Sequence, residues 1–273
     1  MSTTSLERPV SEHLSNAPVY YALVQARFNP IAAMADYADR IQDSLRRQGY
    51  PLFEKQQTTH LVVSNEGKET EPQVKHATSW LLTTSDRTAG FILSTTSITF
   101  HTTHYKTHNE FITELLRGLQ AVHEAAELDH VSRLGLRYLN AVLPDANETV
   151  EDYLIDGLHG LSFPAQRIHG LSESVFITKT GPLLSAGTLV SRVYRMTGPL
   201  GFPPDMIPQG LATNQRFTAV EPSDHSVIDL DHYSEGQMPV DTPKIEEQLL
   251  SLHETITSAF KATTTDFARQ AWL

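Results

Sequence analysis

The chain has 273 residues and no cysteine. That absence excludes disulfides, thiolate zinc sites, iron–sulfur clusters and a cysteine nucleophile. It also fits a reducing compartment. No stretch approaches the roughly 18 consecutive apolar residues of a membrane helix. The opening Met1–Arg8 is not a charged segment leading into an apolar run. A soluble cytoplasmic protein is the expectation, with residues 1–16 as a disordered polar tail. Basic residues are scarce, 21 against 32 acidic ones, for a net charge of -11. Such a balance opposes general contact with phosphate backbones, so neither nucleic acid nor membrane is an expected partner. Catalytic signatures are missing as well: there is no Gly-x-x-x-x-Gly-Lys, Gly-x-Gly-x-x-Gly, His-Glu-x-x-His or Gly-x-Ser-x-Gly.

What is present is an order of elements that occurs twice. Val19 to Phe28 is aromatic and β-branched and predicts a strand. Asn29-Pro30 then predicts a helix start, with Met34, Tyr37, Ala38, Ile41 and Leu45 at helical spacing and Gly49 at its end. Extended pieces follow at 52–63, 80–82, 91–93 and 98–105, with the charged stretch 64–75 read as a loop. Thr107-His108-Asn109-Glu110 has the form of a capping box and opens a helix bearing Ile112, Leu115, Leu116, Leu119, Val122 and Ala126.

A central strand is expected over 131–140, then a short helix capped by Asn147 or Thr149. A hairpin of Val175–Ile177 with Leu189–Met196 comes next, then a short strand at 217–220 and a clearer one at 227–233. Thr242-Pro243 opens the last long helix, with Ile245, Leu249, Leu252, Ile256 and Phe260 on its buried stripe. A final turn is capped at Thr265-Asp266.

Strand, helix, strands and long helix thus recur, in residues 17–129 and again in 130–273. The predicted fold is α+β: two tandem halves forming one curved antiparallel sheet with helices on one face. The order of elements resembles that of the TATA-binding-protein-like fold. One stretch breaks the symmetry. Residues 197–222 hold Pro199, Pro203, Pro204, Pro208 and Pro222 and no periodicity, which marks a long loop.

Alternation on the central strand puts Leu134, Leu136 and Tyr138 on one side and Arg133, Gly135 and Arg137 on the other. In 227–233, Ile228 and Leu230 alternate with Asp229 and Asp231. If the apolar sides meet the helices, Arg133, Arg137, Asp229 and Asp231 share the helix-free face. They form either a surface for an anion or a charged partner, since arginine presents a planar fork of donors, or a set of structural ion pairs. Asp229-x-Asp231 also has the spacing of a magnesium-chelating pair. Among the thirteen histidines, His101 and His104 have opposite parity on a strand, which opposes a shared metal. His123 and His253 fall within the two long helices and read as core or boundary residues. Neither a metal nor a cofactor is expected.

With these pieces in place the chain resembles a sporadically distributed prokaryotic family of about this length whose function is unassigned. The resemblance rests on Arg27-Phe28-Asn29-Pro30, on Arg133 to Asn140, and on Ile228 to Tyr233 followed by Leu252-His253, Phe260 and Thr263 to Asp266. Patchy occurrence of this kind implies genes that move between genomes, as defence or mobile-element genes do. The expected function is a non-enzymatic binding or regulatory protein that self-associates or binds a basic protein partner. The alternative is a sensor or enzyme taking a small anionic ligand in an Arg/Asp pocket between the halves.

Overall fold

A computed structural model describes residues 16–62, 73–165, 167–218 and 223–273; the 1–15 part of the expected tail and the 64–72 part of the expected loop lie outside them. The first strand, β1 (Val19–Phe28), turns Ala22, Val24, Ala26 and Phe28 to one side, all buried. On that side lie the amphipathic helices α1 (Met34–Arg46) and α2 (His108–Ala126), with α2 packed on β1 and α1 packed on α2. Between them run β2 (Leu52–Val62), β3 (Gln73–Thr83), β4 (Ala89–Ser94) and β5 (Ser97–Thr102). After α2 come β6 (Val131–Val142), α3 (Val150–Tyr153), a 3-10 turn at Asp156–Leu158, β7 (His169–Lys179), β8 (Ala186–Gly198) and α4 (Gln215–Thr218). The chain closes with β9 (Ser223–Met238), α5 (Thr242–Thr263) and α6 (Asp266–Ala271).

The fold is α+β, with one antiparallel sheet of nine strands in the order β2-β3-β4-β5-β1-β6-β9-β8-β7. Strands preceding α2 stay together on one side of the β1–β6 seam and those following it on the other. A single hydrophobic core runs the width of the helix side, from Met34 and Leu45 of α1 through Leu134, Leu136 and Tyr138 of β6 to Leu249 and Leu252 of α5. Gly118, mid-helix in α2, lets that helix settle on the sheet. A Cβ there would lie 2.4 Å from the Phe91 ring.

Local expectations needed three corrections. α1 begins at Met34 with Ala33 as its cap, not at Asn29-Pro30. The amides of Phe28 and Ile31 donate to the carbonyls of Thr96 and Thr95, at 2.9 and 2.8 Å, which ties this stretch to the β4–β5 turn. Residues 73–75 belong to β3 rather than to a loop. The expected strand at 217–220 is in its described part a helical turn: the Asn214 carbonyl accepts from the Phe217 amide, and Arg216 is held by the carbonyls of Asn16 and Ala17. Of the two expected caps for α3, Asn147 and Thr149, it is Thr149 that serves, in a capping box with Asp152.

Among the described residues the other side of the sheet carries no long helix, yet it is not bare. The segment after β8 crosses it and builds a second core. Leu200, Phe202, Met206, Leu211 and Phe217 pack there against Tyr20, Tyr21, Leu139 and Tyr194. Phe202 meets the rings of both Tyr20 and Tyr21, with centroids 5.3 and 5.6 Å apart. Polar fastenings hold the crossing in place. Tyr20 donates to the Gly201 carbonyl, Arg87 to the Gly210 carbonyl and the Thr103 hydroxyl to the Ala212 carbonyl. Its prolines lower the conformational freedom that ordering must remove.

Candidate functional site

Chemically capable side chains come together on both sides of the central strand. On the side away from the long helices, alternation on β6 and β9 puts Arg133, Arg137, Asp229 and Asp231 in one group. Arg137 is the hub. Its Nε and NH2 donate to both oxygens of Asp229, each at 2.7 Å. Its NH1 and NH2 donate to Asp205 at 2.6 and 3.1 Å. The Asp229 side chain is fully buried, and Arg192 of the neighbouring β8 approaches it to 3.7 Å while pairing Glu173 at 2.6 Å.

Arg133 sits more loosely. It lies 3.3 Å from Glu235 and 3.9 Å from Asp231, donates to Gln25, and stacks 4.2 Å above the Tyr233 ring. Gly135 makes the room: a Cβ at that position would lie 3.1 Å from the Tyr233 Cβ and 3.2 Å from an Arg133 nitrogen. The hydrogen bond from Arg137 holds the Asp205 carboxyl below the usual carboxylate range, against the effect of burial. Burial raises the Asp231 carboxyl, and the charge of Arg133 opposes that rise. For Arg137, burial works against the charged form and is outweighed by the bonds to Asp229 and Asp205.

Chemically this is a closed set. Arg137 spends four hydrogen bonds on two carboxylates. With each oxygen of Asp229 taken by a guanidinium, the Asp229–Asp231 pair is not laid out to chelate a cation. Among the described residues, no group of three or more His, Asp or Glu is arranged to hold a metal ion. What the set does is fasten the crossing segment to the sheet, through Asp205. Asp205 and Arg192 were not among the residues singled out from sequence. Asp205 had one signal to offer: it is the only carboxylate between Thr197 and Val220.

On the helix side, where β1 and β6 meet, lies a cavity of about 260 Å³. Its floor is Tyr138 and Asn140 of β6 with Leu230 of β9. Its walls are Pro18, Val19, Tyr105, Ile256 and Phe260, and its polar groups are His108, His253 and Thr257, with Lys106 at the edge. The two imidazoles stack, with centroids 4.3 Å apart and 17° between planes. The Tyr138 hydroxyl lies 3.3 Å from His253 Nδ1, and His253 Nε2 lies 3.4 Å from the Thr257 hydroxyl.

Burial, with a smaller contribution from His108, pushes His253 down to about 4. Burial likewise raises Tyr138 well above the ordinary phenol value. Both are therefore neutral at pH 7. The central strand thus serves two sides: Arg133 and Arg137 lie on the side away from the long helices, where Arg137 ties down the crossing segment through Asp205, while Tyr138 and Asn140 line the cavity. His253, expected as a core or boundary residue, lines the cavity; His123 is not among its lining residues. His101 is buried on the far side of the sheet, its Nδ1 2.9 Å from the Tyr21 hydroxyl, and His104 is exposed.

Among the described residues no helix is long and apolar enough to cross a membrane. In comparisons with known proteins, no family model, no curated protein and no solved structure matches the chain.

Proposed function

We propose that the chain is a non-enzymatic binding protein that holds a small molecule in the cavity at the β1–β6 seam. The ligand class that fits has an apolar body and one hydrogen-bonding head. The observation that carries this reading is a hollow in which a few polar groups, those of Tyr138, Asn140, His108, His253 and Thr257, are set among apolar walls from Pro18, Val19, Leu230, Ile256 and Phe260, the usual anatomy of a ligand site. The volume, about 260 Å³, lies just below the roughly 300–1,000 Å³ typical of such sites, which suits a compact ligand rather than a nucleotide. Two groups that stay neutral at pH 7 serve as hydrogen-bond partners. Neither is poised to move a proton, since a catalytic acid or base works best with a pKa near the operating pH.

The test is titration of the purified chain with benzoate, phenol and hexanoate while the His253 ring resonances are followed by NMR. Saturable shifts in the wild type that disappear in Thr257→Phe, which narrows the hollow, support the reading. Absence of saturation with all three, or equal shifts in Thr257→Phe, rejects it.

A protein partner is the second reading. It is favoured by the apolar side chains exposed along β7, and the charge of -11 suits a basic partner. The tandem, TATA-binding-protein-like relation of the halves is a proposal too. It is supported by their contiguity on either side of the seam. The family resemblance, with the defence or mobile-element class it implies, rests on the motifs alone.

A further inference from the structure

β7 ends the sheet, and beyond it no described strand pairs. Edge strands are commonly protected by charge, proline or a bulge, because their free backbone groups recruit other strands. The opposite edge, β2, follows that practice with Glu54, Lys55, Gln56 and Gln57. β7 does not. Its register with β8 is unbroken, and its middle, Ser174–Thr178, has neither charge nor proline. There Val175 is 58% exposed, Phe176 50% and Ile177 81%.

Which backbone groups are free follows from the hydrogen bonds just beyond the ends of the strand. The Thr180 amide donates to the Ser185 carbonyl at 3.1 Å, and the Thr197 amide to the Ile168 carbonyl at 3.3 Å. Both continue the β7–β8 register, so even-numbered residues of β7 bond to β8. Leu171, Glu173, Val175, Ile177 and Lys179 therefore turn their N–H and C=O groups outward.

We infer that this edge pairs with β7 of a second copy of the chain, antiparallel, about a twofold axis at Phe176. The charges choose the register. With the axis at Phe176, each Glu173 lies opposite the partner's Lys179, each Val175 opposite the partner's Ile177, and each Ser174 opposite the partner's Thr178. An axis at Val175 sets Glu173 against Ile177. An axis at Ile177 sets Lys179 against Val175. Placing it at Glu173 or at Lys179 opposes like charges. Only the Phe176 register gives both charges opposite partners while matching apolar with apolar, and cross-strand pairs of these kinds are what stabilise a sheet. Glu173 is available for a second cation: its side chain is 45% exposed although it already bonds Arg192. The partner thus extends the nine-stranded sheet through its more apolar edge.

The test is sedimentation equilibrium of the full chain and two charge variants. Wild type is expected to dimerise. Lys179→Glu and Glu173→Lys each set like charges against each other twice, and each is expected to weaken the dimer by about tenfold or more. Mixed one to one, they should form a heterodimer, because one chain then offers two anions and the other two cations. A wild type that stays monomeric, a Lys179→Glu variant that dimerises as wild type does, or a mixture no tighter than its components overturns the proposal. Glu173→Lys also loses the Arg192 contact, so the two variants are compared at matched thermal stability.

Discussion

Replacing Arg137 with methionine keeps an unbranched, though shorter, side chain and removes its donors. Asp229 would remain fully buried, with Arg192 at 3.7 Å as its nearest cation. Breaking a buried pair from one side costs about 3–5 kcal/mol, because a charge is left without compensation. Arg192 offsets part of that, so about 3 kcal/mol is expected. For 273 residues at roughly 2.1 cal/mol/K of unfolding entropy each, that lowers Tm by about 5 °C. Asp205→Asn should cost less than about 1 kcal/mol, because the Asp205 side chain is 58% exposed and solvent screens its charge.

The double variant Arg137→Met with Asp229→Leu should recover much of the single loss, since an apolar replacement for both partners leaves no charge stranded. Thermal denaturation at pH 7, followed by circular dichroism, measures all three. A Tm for Arg137→Met within 1 °C of wild type would refute the fastening role. So would equal losses for Arg137→Met and Asp205→Asn. Loss of a binding activity at unchanged Tm would instead return Arg137 to the ligand-binding role raised by the sequence.

Two further outcomes test the packing. His101 is fully buried, and burial pushes it down to about 3. The unfolded chain therefore takes up a proton below about pH 6.5 that the folded chain refuses. Stability should fall as pH drops from there toward 3, by up to roughly 1.4 kcal/mol per unit. His101→Asn should flatten that slope in urea unfolding between pH 7 and pH 4, and an unchanged slope counts against it. Gly118→Ala should cost about 1–3 kcal/mol despite alanine's better helix propensity, because its methyl meets the Phe91 ring. Chemical denaturation giving a neutral or stabilising effect would show that α2 does not approach β4 this closely.

Sequence periodicity exposed the parts of the fold whose residues are neighbours along the chain. The stripe Ile112, Leu115, Leu119, Val122 identified α2, and the alternation in 131–140 separated the Tyr138 side of β6 from the Arg137 side. The same alternation could not show what answers each side chain. Asp205 stands 68 residues from Arg137, and His253 stands 115 from Tyr138. Such pairs are set by strand order and by the path of the crossing segment, which leave no local pattern. The Asn29-Pro30 helix start failed for a similar reason. Its local capping chemistry is sound, but amide bonds to the β4–β5 turn displace it.

The crossing segment also constrains how the protein can be made. Arg87 waits 123 residues for the Gly210 carbonyl, and Asn16 waits 200 for Arg216. During synthesis, β1 to β5 can pair long before the segment emerges. Until then Tyr20 and Tyr21 have no cover from Phe202, Met206 or Phe217. Long-range closure of this kind is slow and leaves apolar surface exposed meanwhile. The nascent chain is therefore most vulnerable to aggregation over the interval between completion of the first long helix and arrival of Phe217, and a chaperone that shields β1 would act in that window.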